Sequence, residues 1–207
     1  MKIFYFIILI LICSCSIEPS NEIDDNAILN SLLELSDYPQ PTRCIDLPDS
    51  VCVSEEGRIT LLNLFNYNLV GEIPETIGEL SELKILGLKS NNLIGNIPDN
   101  IGNLTKLVQL NLSNNSLEGF IPESISNLKN LIILNLSNNF LQGNIPDNLT
   151  QLSALLSLDL GNNYLTGTIN PNLCKIEKIN ISFNQLCGLH PYCIDKPKLI
   201  GYQDCTC

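Results

Sequence analysis

Side chains that could do covalent or metal chemistry are scarce in this 207-residue sequence. Hydrolysis and group transfer need a positioned base and a nucleophile, and the one histidine, His190, precedes Pro191 in a cysteine-rich loop, where we expect a structural role or none. The sequence has no glycine-rich phosphate loop, no Cys-x-x-Cys redox pair and no acid pair that its repeat leaves unexplained. We therefore expect a binding protein without a cofactor, and not an enzyme.

The nine cysteines are the other reactive side chains. A zinc site would need closely paired ligands such as Cys-x-x-Cys, so we expect no metal. In an oxidising compartment, cysteines gathered at the two ends of a chain predict disulfide-bonded caps. Cys13 and Cys15 fall within the signal peptide predicted below, which leaves seven. Cys44 and Cys52 lie before the repeats described below, and we predict that they pair. Five follow: Cys174, Cys187, Cys193, Cys205 and Cys207.

The five later cysteines are an odd number, so they cannot all pair among themselves. Cys205 and Cys207 are separated by a single residue and are poorly placed to pair with each other. Each is therefore expected to pair with Cys187 or Cys193. Cys174 lies within an apolar run, and we predict that it stays a buried free thiol.

A 24-residue repeat supplies the elements that position the rest of the chain. Each unit follows the pattern LxxLxLxxNxLxGxIP, and the units begin at Ile59, Leu83, Leu107, Leu131 and Leu155. Self-similarity at this period predicts a solenoid. Because one unit cannot bury its own apolar edge, the leucine columns must stack in a linear core. One such column comprises Leu62, Leu86, Leu110, Leu134, Leu158 and Ile179.

Positions within each unit alternate with the period of a β-strand. Leu110 and Leu112 are expected to point inward, while Gln109, Asn111 and Ser113 face outward, so successive units predict a parallel sheet. The asparagine that closes each strand can satisfy backbone groups of its own loop and of the adjacent repeat. We interpret these asparagines as a structural ladder: Asn91, Asn115, Asn139, Asn163 and Asn184.

The second half of each unit, GxIPxxIGxLxx, begins in the first repeat at Gly71-Glu72-Ile73-Pro74. This motif resembles the plant-type extracellular leucine-rich repeat family over about residues 59–186. The chain is similar to polygalacturonase-inhibiting proteins and receptor-like ectodomains. The resemblance implies an α/β solenoid, a right-handed superhelix with a parallel concave sheet, a helical N-terminal cap and a cysteine-rich C-terminal cap. It also implies that GxIP forms an extra short strand that twists the solenoid.

The terminal repeats depart from the pattern of the family. Tyr67 replaces the first ladder asparagine, and the fifth repeat is three residues shorter and has Asn170-Pro171 where Ile-Pro would stand. Atypical terminal repeats are expected where a solenoid is capped. The caps of the family usually carry a tryptophan, and this chain has none.

Four segments are predicted: a signal peptide at 1–16, an N-terminal cap at 17–58, repeats at 59–185 with five full units and one terminal partial unit, and a C-terminal disulfide cap at 186–207. The first segment carries Lys2, ten apolar residues and Cys13-Ser14-Cys15-Ser16. It is too short to span a bilayer and fits a secretory signal. The alternative is a lipoprotein signal, which would leave lipidated Cys15 as the new N-terminus. We expect a secreted or surface-attached protein.

The N-terminal cap is predicted to contain a helix from Asp24 to Leu35. Ile28, Leu32 and Leu35 recur at helical spacing, and acids at the start of the segment are favoured by the helix dipole. We expect this helix to cover the open end of the first repeat.

The formal charge of −11 excludes some partners. Removal of Lys2 with the predicted signal would take the charge to −12. Such acidity argues against nucleic acid and anionic membranes. The acids fall on predicted loops and the outer side of the solenoid, and we interpret them as a source of solubility and not as a docking site.

The concave face, where such solenoids usually bind partners, is predicted to be small and polar at its centre. Hot spots are enriched in aromatic and cationic side chains, which lie mainly near the two ends. Phe140 and Tyr164 add an aromatic pair on the loop edge, which either contacts a ligand or packs the loop. The candidate contact residues on the face are Phe65, Lys84, Lys89, Gln109, Asn111, Asn135, Asp159, Lys178 and Phe183.

Two functional classes stay open at this stage. The first is a secreted monomer that recognises an extracellular protein or peptide, which the resemblance favours. The second is a binder of a repetitive surface, a cell-wall polysaccharide or ice, which regular rows of Asn and Ser could match. Six strands at about 4.8 Å spacing give a face that barely reaches the roughly 800 Å² per partner of a standard interface, so the caps and edges are expected to contribute.

Six Asn-x-Ser/Thr sequons occur, and three of them, at Asn111, Asn135 and Asn180, are by-products of the strand phrase of the repeat, which reads LNLS at the first two. Acceptor asparagines belong in surface loops. We therefore predict glycosylation at Asn103 and Asn148 on the outer side, and less at Asn111 and Asn135 on the concave face.

Overall fold

The computed structural model describes residues 24–36, 43–44 and 47–187. Six parallel strands form the concave sheet of the solenoid. The strands are β2 (Arg58–Asn63), β4 (Ile85–Gly87), β6 (Gln109–Asn111), β8 (Ile133–Asn135), β10 (Ser157–Asp159) and β12 (Lys178–Asn180), and they lie in chain order. Their register pairs Leu62, Leu86, Leu110, Leu134, Leu158 and Ile179 in one row, which confirms the predicted column. Strand β1 (Cys52–Glu55) adds to the first edge, antiparallel to β2.

Several predictions fall outside the described residues. They concern the signal peptide at 1–16, the lipidation alternative at Cys15, His190, and the pairing of Cys193, Cys205 and Cys207. Within the described ranges, no helix combines the length and apolar character that crossing a membrane requires.

A second line of short strands follows the first, as the resemblance implied. Strands β3 (Val70–Glu72), β5 (Asn92–Asn96) and β7 (Ser116–Glu118) form one sheet, and β9 (Gln142–Asn144) and β11 (Tyr164–Thr166) form another. A single bridge between Phe120 and Gln142 joins their edges. The glycine of each GxIP motif has positive φ, 74° at both Gly119 and Gly143, which explains why glycine recurs there. The predicted extra strand is confirmed.

Each repeat closes with a 3₁₀ helix that returns the chain to the next strand. These helices are Glu75–Glu79, Asp99–Asn103, Glu123–Asn127, Asp147–Gln151 and Pro171–Lys175. A proline precedes each of the first four, where its fixed φ suits the turn into the helix. The isoleucine or leucine at the third helical position is buried and closes the core against the concave sheet.

The buried asparagines form the predicted ladder. Asn115 is typical: its Nδ2 donates to the carbonyl oxygens of Leu88 and Leu112, both at 3.0 Å, and its Oδ1 accepts from the Leu93 N–H at 3.1 Å. One amide thus satisfies main-chain groups in two repeats, which would otherwise be buried without partners. The same arrangement recurs at Asn91, Asn139, Asn163 and Asn184.

The N-terminal cap contains the predicted helix, α1 (Asp25–Leu33). Asp24 caps it by accepting from the Asn26 N–H at 3.0 Å, and four apolar side chains of the helix are buried in the core. Cys44 forms the predicted disulfide with Cys52. The disulfide therefore joins the segment after the helix to β1.

The prediction of a free thiol at Cys174 is wrong, because Cys174 is disulfide-bonded. Its position in the 3₁₀ helix corresponds to Gly78 and Gly102, where an added Cβ would press against the 3₁₀ helix of the following repeat. This position therefore faces along the solenoid axis. The last repeat has no such neighbour among the described residues, and Cys174 is only partly buried. Its sulfur thus faces the C-terminal end, where Cys187 is also disulfide-bonded, as predicted.

Candidate functional site

The amino-terminal cleft is a depression of about 290 Å³ on the concave face, near the N-terminal cap. The Lys89 Nζ lies 5.7 Å from the centre of the Phe65 ring, within the range of a cation–π contact. Gly87 places no side chain in its row, and the Asn63 amide lies over it, since a Cβ at Gly87 would be 2.5 Å from Asn63 Oδ1. The residues that line this cleft are Asn63, Phe65, Ile85, Gly87, Lys89, Gln109 and Asn111.

Lys84, predicted to act with Phe65 and Lys89, does not line this cleft. Its Nζ lies 3.3 Å from the Glu55 Oε2 on β1, in an exposed ion pair. No carboxylate among the described residues pairs with Lys89. The two lysines therefore differ, because only Lys89 presents its charge toward the cleft.

The polar rows at the centre of the concave face are bonded among themselves. The Ser113 hydroxyl donates to Asn111 Oδ1 at 2.7 Å, and Ser137 donates to Asn135 Oδ1 at 2.7 Å. Ser113 is only 2% exposed and Ser137 only 5%. The serines that the sequence places outward thus offer no hydroxyl to a flat surface, and the partly exposed asparagines retain their N–H groups.

The remaining predicted residues lie toward the far end of the concave face. Asp159 Oδ1 accepts from the Gly161 N–H at 3.0 Å and from Asn180 Nδ2 at 2.9 Å. Lys178 is exposed on the last strand. Neither Asp159 nor Lys178 lines the amino-terminal cleft.

An exposed apolar strip on the concave side was missed by the sequence analysis. Ile132 and Ile133 are adjacent and both exposed, and Leu156 of the next repeat is half-exposed. These residues occupy the variable positions that follow the first leucine of a repeat. Apolar residues at positions expected to be polar are the signal that could have identified the strip.

The aromatic cleft is a second depression, of about 400 Å³, on the loop edge near the C-terminal end of the solenoid. The rings of Phe140 and Tyr164 are stacked with centroids 6.0 Å apart and an interplanar angle of 14°. Phe183 lines the same cleft, so the structure joins the predicted aromatic pair to a residue that the sequence placed at the end of the concave face. The lining residues are Asn115, Asn138, Asn139, Phe140, Asn162, Asn163, Tyr164 and Phe183.

Phe183 has a strained backbone with φ of 56°. Asparagine tolerates this left-handed conformation because its short amide can bond locally, whereas a bulkier residue costs roughly 1–2 kcal/mol. The Phe183 ring is 57% exposed, so burial does not offset that cost. The corresponding residues of the earlier repeats, all with positive φ, are Asn66, Ser90, Asn114, Asn138 and Asn162.

A perturbed pKa occurs at Glu82, away from both clefts. A hydrogen bond from Lys106, aided by its positive charge, holds the pKa of Glu82 below its usual range. Neither Glu82 nor Lys106 lines either cleft. Among the described residues, no group of three or more histidine, cysteine or acidic side chains is placed to hold a metal ion.

These features define a leucine-rich repeat solenoid with two open clefts. The leucine-rich repeat family matches the chain at residues 81–141 and 105–165. A chain in the crystal structure of the BIR3–SERK2 complex from Arabidopsis thaliana is 38% identical, with a TM-score of 0.64, over 77% of this chain and 88% of that chain. The protein belongs to the plant-type leucine-rich repeat family.

Two other solved structures bear on function. A chain of the PEPR1–AtPEP1 structure is 32% identical, with a TM-score of 0.65, over 78% of this chain and 25% of that one. A plant ice-binding protein is 31% identical, with a TM-score of 0.69, over 79% of this chain and 56% of that one. No curated protein matches the chain.

Proposed function

We propose that this protein is a secreted, non-enzymatic recognition module that binds an extracellular peptide, or a peptide segment of a protein, in the amino-terminal cleft. The similar PEPR1–AtPEP1 and BIR3–SERK2 structures are complexes of leucine-rich repeat ectodomains, which supports binding as the role of this fold. The proposal includes export through the predicted signal at 1–16 and action as a monomer.

The observation that carries the proposal is Lys89 beside Phe65. In a chain with a formal charge of −11, a cation without a carboxylate partner among the described residues favours an anionic group on the ligand. The exposed Phe65 ring and Ile85 offer apolar contact next to that charge. Amides of Gln109 and Asn111 supply hydrogen bonds across the neighbouring strand.

The size of the cleft favours a segment over a large rigid surface. A volume of about 290 Å³ accommodates one or two side chains, near the lower limit of about 300 Å³ for small-molecule pockets. The expected ligand is an extended segment with a carboxylate at Lys89 and an apolar side chain against Phe65. The exposed apolar strip at Ile132 and Leu156 lies further along the solenoid.

Selection from a random peptide library tests this function. Peptides selected on the intact protein should be enriched in an acid, or in a free carboxyl terminus, near an apolar residue. Lys89→Met retains the aliphatic stem and removes the charge, and it should weaken the best peptide by at least about tenfold, or 1.4 kcal/mol. Phe65→Ala should weaken the same peptide.

Lys129→Met is the matched control, because Lys129 is exposed on the outer side of the solenoid and lines neither cleft. It should leave peptide affinity unchanged. Equal effects of Lys89→Met and Lys129→Met would show a general charge effect and would refute the assigned site.

Binding of a repetitive surface is the second candidate, and the similarity to a plant ice-binding protein favours it. The buried Ser113 and Ser137 weigh against it, as does the replacement of asparagine by Gly87 and Asp159 in one row. Inhibition of ice recrystallisation by the purified protein would support this candidate. If Asn111→Ala with Asn135→Ala abolished that inhibition, the concave rows would be its site.

A further inference from the structure

The aromatic cleft differs in chemistry from the amino-terminal cleft. Its rings are half-exposed, and no charged side chain lines it among the described residues. Asn139 and Asn163 already use their amides in the ladder. Two exposed asparagines, Asn138 and Asn162, provide the polar groups that remain for a ligand.

These two amides have unused hydrogen-bonding capacity. The Asn162 side chain makes no hydrogen bond to another described residue, and Asn138 Nδ2 makes one long bond, 3.3 Å to Ser137 Oγ. Each amide offers both a donor and an acceptor. A ligand that matches them carries neutral groups that donate and accept, such as hydroxyls.

The aromatic rings indicate which apolar part of a ligand the cleft would bind. An aromatic face carries negative partial charge and attracts the weakly positive hydrogens of C–H groups. Phe140 and Tyr164 are stacked on each other, so the ring faces left open are the outer ones, and Phe183 lines the same cleft. An open ring face suits a ligand with a flat C–H surface. An apolar peptide side chain would use the rings and leave both amides without partners.

We propose that the aromatic cleft binds a neutral pyranose glycan. The C–H face of a sugar ring packs on an open ring face of the cluster formed by Phe140, Tyr164 and Phe183, and its hydroxyls bond to the amides of Asn138 and Asn162. The cleft volume of about 400 Å³ falls at the lower end of the range for small-ligand sites, about 300–1,000 Å³. The site therefore fits the end or a short stretch of an oligosaccharide, and it is separate from the proposed peptide site.

The strain at Phe183 supports this assignment. An exposed ring at φ of 56° destabilises the fold, while the earlier repeats have asparagine or serine at this position. Phe183→Asn should therefore raise Tm by at least about 2 °C. A higher Tm would mean that the Phe183 ring does not contribute to folding. Phe183→Asn therefore separates the effect of the ring on stability from its effect on ligand binding.

Titration calorimetry of the intact protein with defined oligosaccharides tests the proposal. The probes are cellohexaose, laminarihexaose and chitohexaose as neutral glycans, oligogalacturonate as an acidic glycan, and a phenylalanine-rich peptide. At least one neutral glycan should bind with a Kd of about 1 mM or tighter. Phe140→Ala with Tyr164→Ala, and separately Phe183→Asn, should weaken it by at least about tenfold.

Phe120→Ala is the control for loss of an exposed ring, because Phe120 is 66% exposed and lies outside the cleft. It should not change glycan affinity, and neither should Lys89→Met, so failure of the peptide proposal leaves this result intact. The proposal is overturned if no neutral glycan binds, if only the acidic glycan or the peptide binds, or if the cleft variants bind normally. Failure of Phe183→Asn to raise Tm would overturn the strain argument.

Discussion

Asp25 accepts a hydrogen bond from Arg58 and so joins the cap helix to the first repeat. Asp25 Oδ1 lies 3.0 Å from Arg58 Nε, and Oδ2 accepts from the Ile59 N–H at 2.7 Å. The carboxylate is only 2% exposed. One buried acid thus satisfies a main-chain donor of the first strand and a cation, in addition to the apolar packing of the helix.

We expect Asp25→Ala to lower the free energy of unfolding by on the order of 3 kcal/mol. The substitution removes both hydrogen bonds and leaves the Ile59 N–H buried without an acceptor. Urea unfolding followed by circular dichroism measures the change. Glu55→Ala is the matched control, since it breaks the exposed pair with Lys84 and should cost less than about 1 kcal/mol. Equal losses would contradict a structural role for Asp25.

The asparagine ladder should be the most sensitive polar feature of the repeats. Asn139 Nδ2 donates to the carbonyl oxygens of Leu112 and Leu136, both at 3.1 Å, and Oδ1 accepts from the Leu117 N–H at 3.0 Å. Asn139→Ala should cost about 2–3 kcal/mol because these groups stay buried. Asn127→Ala, at an exposed position, should change stability by less than about 0.5 kcal/mol. A similar loss in both variants would exclude the ladder as the cause.

The parts of the fold that repeat could be predicted from the sequence. A 24-residue period fixes which leucines stack and which asparagine meets the next repeat, so the columns and the ladder follow from spacing alone. Cys174 could not be placed in this way, because its environment depends on what lies beyond the last repeat. A periodic pattern predicts contacts between neighbours and not contacts at the ends.

The candidate site was predicted only in part for a similar reason. Alternation correctly placed Phe65 and Lys89 on the concave side, but it could not show that Ser113 bonds to Asn111 and is buried. It also could not show that Lys84 reaches Glu55 on a strand that precedes the repeats. These contacts depend on the length and direction of each side chain. The two-residue alternation of a strand specifies only the face on which a side chain lies.

The corrected cysteine assignment can be tested by peptide mapping without reduction. Cys174 should resist alkylation in the unreduced, unfolded protein, and Cys44 and Cys52 should appear in one linked peptide. Cys44→Ser with Cys52→Ser should lower stability by about 2–3 kcal/mol, as expected for a disulfide that closes a short loop. Alkylation of Cys174 in a large fraction of molecules would contradict its disulfide and support the original prediction of a free thiol.

The predicted glycosylation sites should differ in occupancy. Asn103 is exposed, whereas Asn148 Nδ2 donates to the Glu123 carbonyl oxygen at 3.1 Å and its Oδ1 is buried. A glycan on Asn148 requires that this side chain leave its site. If the host glycosylates the protein, mass spectrometry should find Asn103 more fully occupied than Asn148. High occupancy at Asn111 or Asn135 would instead cover the concave face and contradict the proposed peptide site.

Gly102 lies where two neighbouring 3₁₀ helices approach closely. Replacing it by alanine should lower the stability of the protein, where such a replacement ordinarily raises it. A Cβ at Gly102 would lie 2.5 Å from the carbonyl oxygen of Ser124 and 2.6 Å from its Cβ. Replacing glycine by alanine ordinarily stabilises a protein by about 0.4–1 kcal/mol through the unfolded chain. Here we expect Gly102→Ala to cost about 1–3 kcal/mol, because backbone atoms of the next repeat must move.

Ser126 provides the internal comparison, since it occupies the same position one repeat later and already carries a Cβ. Ser126→Ala removes only the hydroxyl that donates to the Glu123 carbonyl oxygen at 2.8 Å, and it should cost about 1 kcal/mol or less. Urea unfolding of the two variants gives the comparison directly. A neutral or stabilising Gly102→Ala would mean that the helices can separate, and the position would then be glycine for a reason other than close packing.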